Sequence, residues 1–194
     1  MATRSAVILA DELTLVEEGK EGLILEGPSF TLRGRAIYGH WDGYPSWTGR
    51  ILSEAYGRKE RAEALIAHGD FSILGPFLSP WELEALGRPC PKHTFSEPCP
   101  GVSVFYGRDR KEKDTQARVV VLTGKGTSAL ALLGQKYRKE WDAEYVYLGL
   151  PEGERVRWFG YDIFGNEVLR LFELYPSRDN WAEVALRDFV EQMS

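Results

Sequence analysis

Two β-rich runs, Ala143 to Leu150 and Arg155 to Ile163, are joined by Pro151-Glu152-Gly153-Glu154. They constrain the fold more than any other stretch. Each is dense in Val, Tyr, Leu, Trp or Phe, and a connection this short can join only antiparallel neighbours. An antiparallel hairpin therefore lies in the second half of the chain, with Gly153 in its turn. Ser5 to Ala10 (SAVILA) reads as a buried first strand, and Arg35 to Trp41 (RAIYGHW) as another that enters the turn Asp42-Gly43-Tyr44-Pro45. Asn166 to Leu174 (NEVLRLFEL) adds a strand after the Phe-Gly-Asn turn. Val102 to Gly107 (VSVFYG) and Ala117 to Thr123 (ARVVVLT) read as an antiparallel pair joined by a charged connection.

Helical periodicity separates these strands. Ser46 to Gly57 places Ile51, Leu52, Ala55 and Tyr56 on one face, and Gly57 suits a left-handed C-cap. Arg58 to Gly69 places Ala62, Leu65 and Ile66 together. Ser79, Pro80 and Glu82 form a capping box with the favoured proline. Thr127 to Trp141 is more helical than not. Asn180 and Glu183 suggest a second capping box, with Trp181, Ala185, Leu186, Phe189 and Val190 as the apolar stripe of a closing helix. Strands come first, then helices, then strands, without βαβ alternation. The expected class is α+β: an antiparallel sheet with helices packed mainly on one face.

A chain of 194 residues suits one domain over 1–194. Residues 11–32, with short apolar alternation broken by glycine, read as hairpins or a surface excursion. Residues 87–101, with Pro89, Pro91, Pro98 and Pro100, read as a loop. The net charge of −5 argues against a broad basic face for duplex nucleic acid. No apolar run approaches the roughly 20 residues that span a bilayer. The N-terminus does not read as a signal peptide, so the expected location is cytoplasmic, with no membrane partner. In that compartment Cys90 and Cys99 are expected as free or loosely paired thiols. With His93 they could supply three zinc ligands, but the spacing lacks the usual knuckle, so no metal and no cofactor are expected. Scarce Asn, Gln, Cys and Met resemble the composition of proteins from hot environments, although a GC-rich genome would produce much the same bias.

The chemistry concentrates around the turn. On a strand through Tyr38-Gly39-His40-Trp41, period two sends Tyr38 and His40 to one face and Trp41 to the other. Asp42, two residues on, could fix the His40 tautomer and raise its pKa, as a general base or a phosphate-binding histidine requires. Ser46 could cap the following helix. Arg4, Arg108, Asp109 and Arg110 lie at strand ends or turns, where guanidinium forks would hold phosphate or carboxylate. Trp41 and Tyr44 offer stacking faces. Two further signals read as structural. Gly124-Lys125-Gly126-Thr127-Ser128 departs from phosphate-loop spacing and reads as a turn. His68, at a helix end, reads as a dipole partner.

Thr3-Arg4-Ser5, His40 to Pro45 followed by Gly49, Gly69 to Gly75, Tyr106 to Arg110 and Tyr145-Val146-Tyr147 occur here in order. Together they resemble a family of small uncharacterised bacteriophage and bacterial proteins. Members open with a Thr-Arg-Ser segment and carry a His-Trp-Asp-Gly-Tyr-Pro turn and a later Arg-Asp-Arg. This chain departs from the pattern in the residues between its first two strands, at Gly39 and at Lys111. The resemblance implies no activity.

Two functions fit these residues. The first is a binding module: a phage-type accessory protein holding a nucleotide or other anionic small ligand through Arg4, His40, Trp41, Asp42, Tyr44, Arg108, Asp109 and Arg110. Its genomic setting would suit a counter-defence role. The second is a hydrolase or phosphodiesterase using His40 and Asp42. An inhibitor of a host protein ranks below both, because the acidic residues are spread along the chain.

Overall fold

The structure is a computed structural model that describes residues 2–15, 24–25 and 29–190. It has an α+β fold built on a mainly antiparallel sheet of eight strands. In chain order these are β1 (Ser5–Leu15), β2 (Phe30–Gly39), β3 (Phe71–Ile73), β4 (Val104–Phe105), β5 (Arg118–Gly124), β6 (Tyr145–Glu152), β7 (Arg155–Asp162) and β8 (Glu167–Arg170). The spatial order is β4-β3-β2-β1-β6-β7-β8, and β5 pairs with β2 beside β3. Only β1–β6 and β2–β3 are parallel.

β6 and β7 form the hairpin read from the sequence, paired from Tyr145↔Asp162 to Glu152↔Arg155. Gly153 takes a left-handed φ of 61° in its turn, a conformation glycine adopts without penalty. β1 and β2 also pair antiparallel, and their ladder runs on through Leu13↔Leu32 to Leu15↔Phe30. Both ends of the 11–32 segment therefore extend the sheet. Of its Leu23–Leu25 piece, Leu23 lies outside the described residues, whereas Ile24 and Leu25 are helical rather than extended and Ile24 is buried in the core.

Alternation along the strands divides the core. Ala6, Ile8, Ala36, Val146 and Leu148 face α5 (Ala129–Trp141), which buries Leu130, Leu133 and Tyr137 against them. Val7, Leu9, Ile37, Tyr147 and Trp158 face the opposite side. There they meet α1 (Arg50–Ala55), which continues a π-helical turn over Pro45–Gly49, and α2 (Lys59–His68). α3 (Pro80–Ala85) packs with Cys90, Cys99 and α7 (Trp181–Ala185) in a third apolar cluster. α4 (Tyr106–Arg110) and α6 (Leu171–Leu174) are single turns. Among the described residues no helix is long and apolar enough to cross a membrane.

Several local expectations change. The run after Val102 does not pair with β5: β4 pairs with β3, and β5 lies along β2. The Arg-Asp-Arg segment is a helical turn rather than a hairpin end, because the Asp109 carboxylate accepts the Phe105 N–H (2.9 Å) and closes it. Gly57 is not a left-handed cap; Tyr56 ends α1, and a Cβ at Gly57 would collide with Ser177. The Ser79 hydroxyl caps nothing, and Glu82 reaches back to the Leu78 N–H (2.9 Å) and to Arg61 (2.7 Å). Asn180 makes no side-chain cap either. The side chains of Phe189 and Val190 lie outside the described residues. The Gly124–Ser128 segment is a turn, and Ser128 caps α5 through the Ala131 N–H.

The outer edge of β2 is shared between two strands, and this places everything that follows. β5 covers Phe30 to Ala36, and β3 takes over at Gly39↔Phe71. Between them the Tyr38 N–H would have no ladder partner. Asp70, just before β3, supplies one: its Oδ1 accepts Tyr38 N–H at 2.8 Å and also the Arg118 guanidinium from the start of β5. Asp70→Ala would leave the Tyr38 N–H unpaired and take the carboxylate from Arg118, which keeps its bond to the Asp114 carbonyl. It is expected to cost about 1–3 kcal/mol, read as a lower urea midpoint at unchanged slope. A loss below about 0.5 kcal/mol would show that Asp70 does not join the strands.

Candidate functional site

α5 ends at Trp141, so the sheet face it covers is open over the far ends of β2, β3 and β4. Tyr38 and His40 project there, as the period-two reading requires. The Tyr38 hydroxyl and His40 Nδ1 are 2.6 Å apart. The Tyr38 ring meets Trp141 edge-on at 5.8 Å, and His40 meets Trp41 at 4.8 Å. Arg4, one residue before β1, lies within hydrogen-bonding reach of the Tyr38 hydroxyl and pairs with Asp142 at 2.9 Å. From β3 and α4 come Ser72 and Tyr106, whose side chains meet, and Arg110 lies close to Tyr106. Arg118 sits over Trp141 at 5.2 Å.

The Tyr38 hydroxyl and His40 Nδ1 share one hydrogen bond, in which either group can be the donor. Burial first, and Arg4 second, push the His40 pKa below its usual 6.5. Burial also raises Tyr38, partly offset by Arg4, and raises Asp70 despite Arg118 and the Tyr38 N–H. At neutral pH His40 is thus largely uncharged, within an aromatic and guanidinium surround.

Of the residues selected from sequence, Arg4, His40 and Trp41 come together. Asp42 does not join them as the orienter of His40. It adopts a left-handed φ of 54°, its carbonyl accepts the Thr48 hydroxyl (2.7 Å), and its carboxylate faces Tyr44. The expected rise in the His40 pKa is therefore reversed. Ser46 does not cap the turn, which begins after Tyr44 with Pro45 in its first turn. Arg108 is not an open fork. It donates to Leu78 O (2.6 Å), Ser103 O (2.9 Å) and both oxygens of Asp109. Asp109 is buried beneath it and held far below the usual carboxylate range: burial opposes this, and His93, Arg108 and the Phe105 N–H more than compensate. Arg110 remains, stacked on Phe95 at 5.0 Å. No ion pair to it occurs among the described residues.

Other expectations are corrected nearby. Cys90 and Cys99 form a disulfide, with Cα atoms 6.4 Å apart, and are not free thiols. His93 accepts the Cys99 N–H at Nδ1 (3.1 Å) and turns Nε2 to Asp109 (3.5 Å), so its nitrogens are already engaged. Among the described residues no group of three or more His, Cys, Asp and Glu is placed to hold a metal. His68 stacks on Phe105 at 4.5 Å, and burial lowers its pKa, which removes the charge a dipole partner needs.

Sequence reasoning missed Asp70 and Trp141 as neighbours of Tyr38, Arg118 as the partner of Asp70, and the Ser72–Tyr106 pair. Alternation around β3 could have pointed to Asp70 and Ser72, since Phe71 is core. An apolar cavity lined by Trp47, Ile51, Pro76, Trp181 and Val184 lies between α1 and α7. Its charged members Glu54 and Asp188 both pair with Arg50, and it holds none of the groups around Tyr38 and His40. Comparison with family models, curated proteins and solved structures found no match to this chain.

Because the folded pKa of His40 lies below the unfolded value, its contribution to stability is present above pH 6.5 and is lost on acidification through that value. An NMR titration should give a His40 midpoint below 6.5 that rises in Arg4→Ala and stays unchanged in Asp42→Asn. A midpoint above 6.5, or one that falls in Asp42→Asn, would put the carboxylate back on the ring.

Proposed function

We propose that this chain is a binding protein for a small anionic molecule bearing a planar ring, of the nucleotide type, held on the open sheet face beyond α5. The single observation that carries this reading is Arg110. Its guanidinium carbon lies over the Phe95 ring, 5.0 Å from the centroid, without a carboxylate partner among the described residues, and it lies beside the Tyr106–Tyr38–Arg4 series. Stacking on an aromatic face leaves the edge donors of an arginine directed outward, the geometry that phosphate and carboxylate accept. Arg4 can join it, since its pair with Asp142 is solvent-exposed and such pairs are worth about 0–1 kcal/mol.

The remaining groups suit the same ligand. His40 adds a largely uncharged imidazole. Trp41, 45% exposed, offers a stacking face for a base or other ring. A hydrolytic reading is less well supported, because the Nδ1 of His40 is taken by a phenol rather than a carboxylate.

Titration calorimetry with adenosine diphosphate, inorganic pyrophosphate and adenosine tests the reading. The two phosphorylated probes are expected to bind and adenosine to bind far more weakly. Arg110→Ala should weaken pyrophosphate at least about tenfold, the low end of a charged hydrogen bond. Trp41→Ala should weaken the nucleotide and leave pyrophosphate unchanged. Equal affinity for adenosine and its diphosphate, or an unchanged Arg110→Ala, would sink the proposal.

A further inference from the structure

The loop closed by the Cys90–Cys99 bridge leans on the part of the site that carries Arg110. Two of its side chains reach α4. His93 meets Asp109 (3.5 Å) and Arg108 (3.4 Å), the residues that lock the turn closed. Phe95 packs against Tyr106 with ring centroids 5.4 Å apart and underlies the Arg110 guanidinium. No strand pairing falls between Cys90 and Cys99. Besides the bridge, its internal contacts are the Cys99 N–H bond to His93 Nδ1 (3.1 Å), one Thr94–Glu97 turn and an exposed Lys92–Glu97 pair, the last adding little. The bridge fixes the loop ends; without it, residues 90–99 regain the freedom that a cross-link removes.

We propose that the Cys90–Cys99 disulfide is a redox-controlled clamp on α4, which holds Tyr106 and Arg110 in place when oxidised and releases them when reduced. The consequence for ligand affinity rests on the binding function proposed above, whereas the clamp itself is read from α4 alone. The chemistry is ordinary thiol–disulfide exchange. A thiolate of a small dithiol attacks the Cys90 sulfur, the more exposed of the two at 9% against 3%. The S–S bond breaks, Cys99 leaves as a thiolate and takes up a proton. The second thiol of the reductant then displaces Cys90 and closes its own disulfide. Two electrons pass to the protein, giving two thiols. Exchange with an oxidised low-molecular-weight disulfide runs the reaction backwards.

The test is amide hydrogen exchange on air-oxidised protein before and after dithiothreitol, with pyrophosphate titrations of both forms. On reduction the amides of Phe105, Lys111 and Glu112, which are bonded within or onto α4, should exchange about tenfold faster. Those of the β6 core, Tyr147 to Leu150, should not change. Pyrophosphate affinity should fall several-fold and recover on reoxidation. Phe95→Ala, which keeps the bridge, should bind pyrophosphate as weakly as the reduced protein and lose most of its response to dithiothreitol. Identical α4 exchange in the two redox forms overturns the clamp. So does faster exchange throughout the β6 core, which would make the bridge a global staple. Faster exchange confined to α4 in a protein that binds no pyrophosphate in either form upholds the clamp and counts against the binding function instead.

Discussion

One buried carboxylate solves the central problem of this sheet. β2 has two neighbours on its outer edge, and wherever a strand exchanges one partner for another its backbone groups between them lose their ladder. A buried amide left unpaired costs about 1–3 kcal/mol. Asp70 fills that place, accepting Tyr38 N–H and the Arg118 guanidinium on one oxygen. Burial penalises the charged form and raises its pKa, and the two donors offset part of that penalty. A charge is kept in a half-dry position because it ties three strands at one point.

The same junction makes the site. β3 and β4 are short, and α5 stops at Trp141, whose ring meets Tyr38 edge-on. Side chains at alternate positions there, Tyr38, His40, Ser72 and Tyr106, project into the opening. Arg118 closes one side by lying between Asp70 and Trp141. Arg4 reaches the Tyr38–His40 pair from the neighbouring strand end. The row Ser5–Gly39–Phe71–Phe105 sets these groups level with one another. Gly39 permits the row, since a Cβ there would overlap the Phe71 ring.

What could be read from the sequence was what depends on near neighbours. The β6–β7 hairpin, the buried first strand and the α5 periodicity each follow from spacing within about twenty residues. The shared face of Tyr38 and His40 followed from alternation alone. What could not be read depends on distant groups. Nothing near Arg108 signals that Leu78 and Ser103 will present carbonyls to it, nor that Asp109 will fold back on Phe105. The capping box at Ser79 fails for a similar reason: Glu82 is drawn to Arg61, which lies across the packed helices and over Trp181. The disulfide ran against an inference from cellular compartment, which speaks to redox conditions and not to whether two side chains meet.

Asp42 shows why adjacency in sequence misled at the turn. It lies two residues from His40, close enough on an extended strand to share a face. The strand ends at Gly39, however, and Asp42 takes a left-handed conformation that reverses the chain. Gly43 is then fastened from both sides, its N–H to the Thr3 carbonyl at 2.8 Å and its carbonyl to the buried Tyr147 hydroxyl at 2.5 Å. Those bonds, with Asp42 O held by Thr48, commit the turn to linking β2 to the helices on the far face. Its carboxylate follows the turn, and His40 stays with the sheet. The imidazole is left beside a phenol and a guanidinium, and burial and the guanidinium both disfavour its charged form. A histidine so placed stays largely uncharged at neutral pH, gaining nothing from its nearest carboxylate in sequence.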